Sequence, residues 1–179
     1  MGMKLCLLRG INVGGKNIIK MANLKACLEE IGLEKVETYI QSGNVIFESK
    51  KANNVLTQLI EKALLKKFGY REPVLIISKK KLETIIASAP KGFGSEPGKY
   101  QYDFIFIVKE ITEKAFAKVV SLRDGVDTMH VGKDALYFSR LKSKASKSHL
   151  SKIVSKPEYK LVTVRNWNTT IKLREKLSG

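Results

Sequence analysis

The sequence predicts an α+β fold: a tandem duplication of a ferredoxin-like βαββαβ unit with antiparallel sheets, plus an inserted helix and a C-terminal helix. Three observations predict it. Short strand-like apolar segments alternate with helix-period segments in the same order in both halves. Each half places a tight turn between two strand segments, Ser42-Gly43 in the first and Gly132-Lys133-Asp134 in the second, as a hairpin requires. Between the halves lies a stretch with Pro90, Gly92, Gly94, Pro97 and Gly98, the clearest linker in the chain.

The elements follow in order. Met3 to Arg9 reads as a short apolar strand, and Gly10 to Asn17 as a glycine-rich loop. Met21, Leu24, Leu28 and Ile31 recur at helical spacing, with Gly32 as a stop. Val36, Thr38 and Ile40 alternate with polar neighbours, and Asn44 to Glu48 is the returning strand. Val55, Leu56, Leu59, Ile60, Ala63 and Leu64 line a helix ending near Gly69. Val74 to Ile77 is apolar throughout, which fits a central or doubly covered strand. A helix over Lys79 to Ala89 is the insertion. In the second half, Phe104 to Val108 is a strand, and Thr112 can cap a helix carrying Phe116, Val119 and Val120. Val126 to Val131 and Ala135 to Ser139 form the hairpin. A helix is predicted around Ser146 to Val154, a strand at Leu161 to Val164, and a last helix from Asn168 towards Leu177. The expected boundaries are 1–89, a linker over 90–99, and 100–179.

The chain has 179 residues, enough for a core without disulfides or metals. Its apolar runs fall short of the roughly 20 residues of a membrane span, so no membrane partner is expected. The start reads as a strand rather than a signal peptide. Cys6 and Cys27 lack CxxC spacing and read as small core residues in a reducing, cytoplasmic setting. His130 and His149 have no ligands at metal spacing, so no metal is expected, and no cofactor is called for.

Charge is the strongest functional signal. Lys and Arg number 33 against 17 Asp and Glu, a net +16, which favours polyanionic partners such as nucleic acid or a phosphorylated ligand. Scattered lysines also keep a protein soluble. One run is not scattered: Arg140, Lys142, Lys144, Lys147, Lys152, Lys156, Lys160 and Arg165, with Glu158 as the only acid among them. This is the candidate polyanion patch.

Two further clusters stand out. The strand order 4-1-3-2 of a βαββαβ sheet puts the end of strand one beside the turn between strands two and three. Arg9, Asn12, Gly14, Gly15 and Lys16 should therefore meet Gln41, Ser42 and Asn44. Glycines let backbone N–H groups approach an anion, and Arg9 and Lys16 supply charge. Ordinary turn chemistry, with amides satisfying loop backbone, explains the same residues. Gly10 to Lys16 also fits G-x-x-x-x-G-K, but Asn17 stands where a phosphate-binding P-loop needs Ser or Thr, and a hairpin follows the helix. That match is rejected. The third cluster is Arg165, Asn166, Trp167, Asn168, Thr169 and Thr170: either a helix cap with a core anchor, or a stacking platform beside two amides.

LLRGINVGGKN, then TYIQSGNVIF, then TVRNWNT resemble, in order and spacing, the bacterial family known as domain of unknown function 1697. The resemblance extends over essentially the whole chain. It implies a cytoplasmic bacterial protein with two ferredoxin-like subdomains and no established activity. It singles out Arg9, Gly10, Asn12, Gly14, Gly15, Lys16, Gln41, Ser42, Gly43, Asn44, Arg165, Asn166, Trp167 and Thr169. Ser143 to Lys147 falls where the family often has a Ser-Lys step.

Three functional readings follow. The first is a basic binding protein for nucleic acid or another polyanion. The second is an enzyme or sensor for a small phosphorylated or carboxylated ligand held by the Arg9–Asn17 loop and Gln41–Asn44 turn. The third is a structural or interaction protein, monomeric or homodimeric. Sequence leaves open the orientation of the repeats, and with it whether the polar clusters share a cleft.

Overall fold

The computed structural model describes residues 2–15, 17–108 and 111–179. It forms two compact units, Met1–Leu82 with Leu173–Gly179, and Glu83–Lys172. No helix is long and apolar enough to cross a membrane, among the described residues.

In the first unit the strands are β1 (Gly2–Leu7), β2 (Glu34–Tyr39), β3 (Asn44–Ser49) and β4 (Leu75–Ser78), in the spatial order β2-β3-β1-β4. All pairings are antiparallel, with β1 running from Gly2↔Ser49 to Leu7↔Asn44 on β3. Helices α1 (Met21–Glu30) and α2 (Asn53–Phe68) bury Leu24, Cys27, Leu28 and Leu56, Ile60, Leu64. These stripes recur every three or four residues, so each helix presents one apolar face. Against them pack Cys6, Leu8, Val45, Phe47 and Ile76. Leu5, Leu7, Ile46 and Ile77 point to the other face of the sheet and are buried as well. Both cysteines belong to the interior, and burial pushes the Cys27 thiol up, which keeps it protonated and unreactive. Gly69 ends α2 in the left-handed conformation, φ 65°.

The second unit repeats the order with β5 (Tyr100–Ile107), β6 (Asp127–Val131), β7 (Ala135–Leu141) and β8 (Val162–Asn166), arranged β6-β7-β5-β8. Helix α3 (Lys79–Ala87) follows β4 in the chain as the inserted helix, α4 (Glu113–Val119) is the second unit's first helix, and α5 (Trp167–Lys176) is the last helix. The Thr112 hydroxyl caps α4 by accepting from the Ala115 N–H at 3.1 Å. On one face Ile105, Leu136 and Phe138 pack with Phe116 and Ile153. On the other, Phe104, Phe106 and Tyr137 are buried, and the Tyr137 hydroxyl donates to the Ile85 carbonyl at 2.7 Å. The 90–99 stretch belongs to this unit: Phe93 meets the rings of Tyr102, Phe104, Tyr137 and Trp167 edge-on.

One element differs from expectation. The helix predicted over Ser146 to Val154 is absent. Three 3-10 turns take its place, Lys142–Lys147, Leu150–Ser155 and Pro157–Leu161. Five serines compete locally for backbone groups, Ser148 is extended (ψ 142°), and Pro157 starts a new turn. Only Ile153 is buried there, and Val154, placed on the predicted apolar stripe, is 60% exposed.

Gly43 shows how tightly the first sheet closes. At φ +75°, a Cβ there would lie 2.6 Å from Ile11 Cγ2 and 2.8 Å from Leu8 Cβ. Gly43→Ala is expected to destabilise the protein by about 2 kcal/mol, through overpacking and backbone strain together. Equilibrium denaturation measures this, and an unchanged midpoint would contradict the tight closure.

Candidate functional site

The two polar loops of the first unit do meet at the end of β1. The Leu8 N–H donates to the Gly43 carbonyl at 2.8 Å. Asn12, held at φ 55°, joins the loops. Its amide nitrogen donates to the Ile19 and Gln41 carbonyls, each at 3.0 Å, and its Oδ1 accepts from the Ile19 N–H at 2.8 Å. Asn17 donates to the Gly10 carbonyl at 2.9 Å. Asn44, fully buried, donates to the Tyr39 carbonyl at 3.0 Å and to Ser42 Oγ at 2.9 Å.

Arg9 is committed too. Its N–H donates to the Tyr70 hydroxyl at 3.0 Å, and that hydroxyl donates back to the Arg9 carbonyl at 2.9 Å. The Arg9 guanidinium pairs with Glu72. Burial pushes the Tyr70 phenol far up, so it stays a donor. Gly14, Gly15 and Gln41 remain exposed. Lys16 lies outside the described residues.

In the second unit, Asn166 Oδ1 accepts the Thr169 N–H at 2.8 Å, and the Thr170 hydroxyl donates to the Asn166 carbonyl at 2.9 Å. Asn166 is thus the cap of α5. Arg165 is buried and donates to Thr163 Oγ1 at 2.9 Å and to the Val164 carbonyl at 2.8 Å. Trp167 stacks on Phe104, 13° from parallel with centroids 5.7 Å apart. Cap and anchor therefore describe these residues, yet Trp167 is only partly buried. Its outer part lines a cleft of about 250 Å³ with Tyr100, Gln101, Lys142, Asn166 and Asn168.

Lys142 links this cleft to the basic run. It lies on the first 3-10 turn and donates to the Pro97 carbonyl at 2.5 Å. Lys144, Lys147, Lys152, Lys156 and Lys160 follow, all exposed. Among the described residues, none of these five ammonium groups has an ion-pair partner. Lysines of the first unit contrast with them: Lys25 pairs with Glu29 at 3.7 Å, Lys35 with Glu48 at 2.8 Å, Lys67 with Glu30 at 2.5 Å, and Lys176 with Glu37.

Sequence reasoning missed a cluster of two buried acids, Asp103 and Asp127, with the half-buried Arg140. Asp103 is 4% exposed, and both its oxygens lie 3.4 Å from the Gln101 amide nitrogen. Arg140 is directly opposite Gln101 on β7 and opposite Asp127 on β6. Asp127, 8% exposed, accepts the Arg123 and His149 N–H groups at 2.9 and 2.8 Å through Oδ2. Its Oδ1 and the Arg140 Nε are buried without a hydrogen-bond partner. Burial raises the Asp103 carboxyl, opposed by the Arg140 charge and the Gln101 bond. Single acids inside strand segments carry no spacing signal, so nothing in the sequence marked them. The alternating Tyr100 and Tyr102 at the start of β5 were a usable sign of an aromatic wall. No cluster of potential metal ligands occurs among the described residues.

Two four-stranded antiparallel sheets of like strand order make this a duplicated ferredoxin-like α+β fold. The chain belongs to the family described as "Protein of unknown function (DUF1697)", whose model matches residues 1–137. That span covers the first two motifs, while the Arg165–Thr169 motif lies beyond it. The chain is similar along 98% of its length to the conserved bacterial protein SP0830 from Streptococcus pneumoniae, at 29% identity, a TM-score of 0.85 and 98% coverage of that chain. No curated protein matches it.

Two outcomes follow. Tyr70→Phe removes a hydroxyl that both accepts from and donates to Arg9, and should cost about 1–3 kcal/mol in chemical denaturation. A variant as stable as the parent would show that the pair of bonds contributes nothing. Asp103 binds its proton more readily when folded, so its protonation adds stability at low pH, and that contribution is lost as pH rises through the raised value. Asp103→Asn should therefore melt above the parent at neutral pH, and the gap should close towards about pH 4, near the unfolded carboxyl value. Melting curves that overlay at every pH would contradict this.

Proposed function

We propose that the chain binds polyanions, nucleic acid foremost, through the lysine track on the 3-10 turns of its second unit. One observation carries the reading: Lys144, Lys147, Lys152, Lys156 and Lys160 are exposed on successive turns, with no carboxylate partner among the described residues. An unneutralised row of ammonium groups gains most from phosphates, which release counterions on contact. The Phe104 and Phe106 rings are buried and offer no base-stacking surface.

The small-ligand reading of the Arg9–Asn17 loop is weaker. Arg9 pairs with Glu72, and the side-chain amides of Asn12 and Asn44 are spent on backbone groups and Ser42.

The test is fluorescence anisotropy with a labelled oligonucleotide across a salt series, using the parent and a variant with Lys144, Lys147, Lys152 and Lys156 changed to Glu. Binding should weaken steeply with salt. If each of the four lysines meets one phosphate, the slope of log K against log salt should fall in magnitude by about 3 for single strands. No binding at low salt, or an identical slope in the variant, would refute the reading.

A further inference from the structure

We infer that the preferred polyanion is single-stranded nucleic acid, whose bases enter the cleft between Tyr100 and Trp167 while its phosphates follow the lysine track. This rests on the polyanion reading and narrows it.

The geometry joins the two features through one residue. Lys142 opens the 3-10 track and also lines the cleft. A strand whose phosphates lie along Lys144 and Lys147 is therefore delivered to the cleft mouth. Drug-sized ligands occupy pockets of about 300–1,000 Å³. At about 250 Å³ the cleft suits one smaller ring system. Its walls are of the right kind. Trp167 and Tyr100 offer aromatic surface, and Gln101 and Asn168 offer amides that can meet a base edge. Aromatic stacking beside a positive track is how proteins hold single strands without a fixed sequence.

A second hollow of about 260 Å³ lies beyond the same tyrosines. It shares Tyr100 and Tyr102 with the first and adds Thr128, His130 and Ser139. Two adjoining hollows divided by one aromatic ridge suit consecutive nucleotides. Lys99 lies over the Tyr100 ring, 5.1 Å from its centroid, and pairs with Glu96 of the second hollow at 3.8 Å. A duplex keeps its bases paired and stacked inside, so it can use the track but not the hollows. The Trp167 ring is fixed from behind: a Cβ on Gly94 would come within 2.5 Å of it. The platform is thus preformed.

Trp167 is the only tryptophan, so its fluorescence reports on the cleft directly. The full chain is titrated with a single-stranded oligonucleotide, an abasic strand of equal length, and a duplex, following anisotropy and Trp167 emission together. The base-bearing strand should quench Trp167 and bind about tenfold more tightly than the abasic strand, equal to about 1.4 kcal/mol. The duplex should bind without quenching. Tyr100→Ala should remove the preference for bases and leave abasic affinity unchanged. If that variant does not fold, Asn168→Ala, at an exposed position, should weaken only the base-bearing strand. Equal affinity for base-bearing and abasic strands with no quenching would overturn the cleft while the polyanion reading stands. Tighter binding of the duplex would also overturn it. Binding to none of the three would overturn both.

Discussion

Burial of both faces of each sheet is the constraint on which the rest of the structure depends. In the first sheet Cys6, Leu8, Val45 and Phe47 are buried on one side, and Leu5, Leu7 and Ile46 on the other. In the second, Ile105, Leu136 and Phe138 alternate with Phe104, Phe106 and Tyr137. Polar groups buried next to such strands are removed from water and are expected to find protein partners. At the end of β1 the solution is complete. Tyr70 holds both backbone groups of Arg9, Asn12 ties the glycine loop to Ile19 and Gln41, and Asn44 closes the turn. In the second sheet, at the opposite end, beside the start of β5, Asp127 Oδ1 and Arg140 Nε are left unbonded.

That contrast divides the labour between the units. The first unit spends its polar motif on its own architecture and pairs several of its lysines with acids on neighbouring elements. In the second, the five lysines Lys144, Lys147, Lys152, Lys156 and Lys160 have no ion-pair partner among the described residues, and Tyr100 and Trp167 line an open cleft. Substituting a 3-10 track for the second helix matters here. A regular amphipathic helix would turn its apolar stripe into the core and hold its lysines around a cylinder. The lysines of the 3-10 turns are exposed, and Lys142 is shared by the first turn and the cleft.

Much of this was legible in the sequence. Period-2 and period-3.6 apolar patterns located the strands and the apolar faces of α1, α2 and α4, because burial on a strand or helix leaves a periodic trace. The meeting of the Gly10–Asn17 loop with Ser42-Gly43 followed from topology alone. What was not legible depended on distant pairing. Tyr70 acts 61 positions from Arg9, and the Arg140 charge reaches Asp103 because strand register sets Arg140 opposite Gln101, two residues before it. The helix at Ser146 to Val154 failed as a prediction because Leu150, Ile153 and Val154 supply a stripe too short to outweigh five serines and Pro157.

The central claim is that the anion-binding face lies on the second unit and that the glycine loops of the first are structural. Backbone amide chemical shifts in an isotope-labelled sample, followed while a single-stranded oligonucleotide is added, test it most directly. The account predicts shifts clustered over Lys142–Lys160, Tyr100–Tyr102 and Asn166–Asn168, with Gly10–Gly15 and Gln41–Asn44 unmoved. Shifts concentrated in the Gly10–Gly15 loop and the Gln41–Asn44 turn, with the lysine track silent, would contradict it.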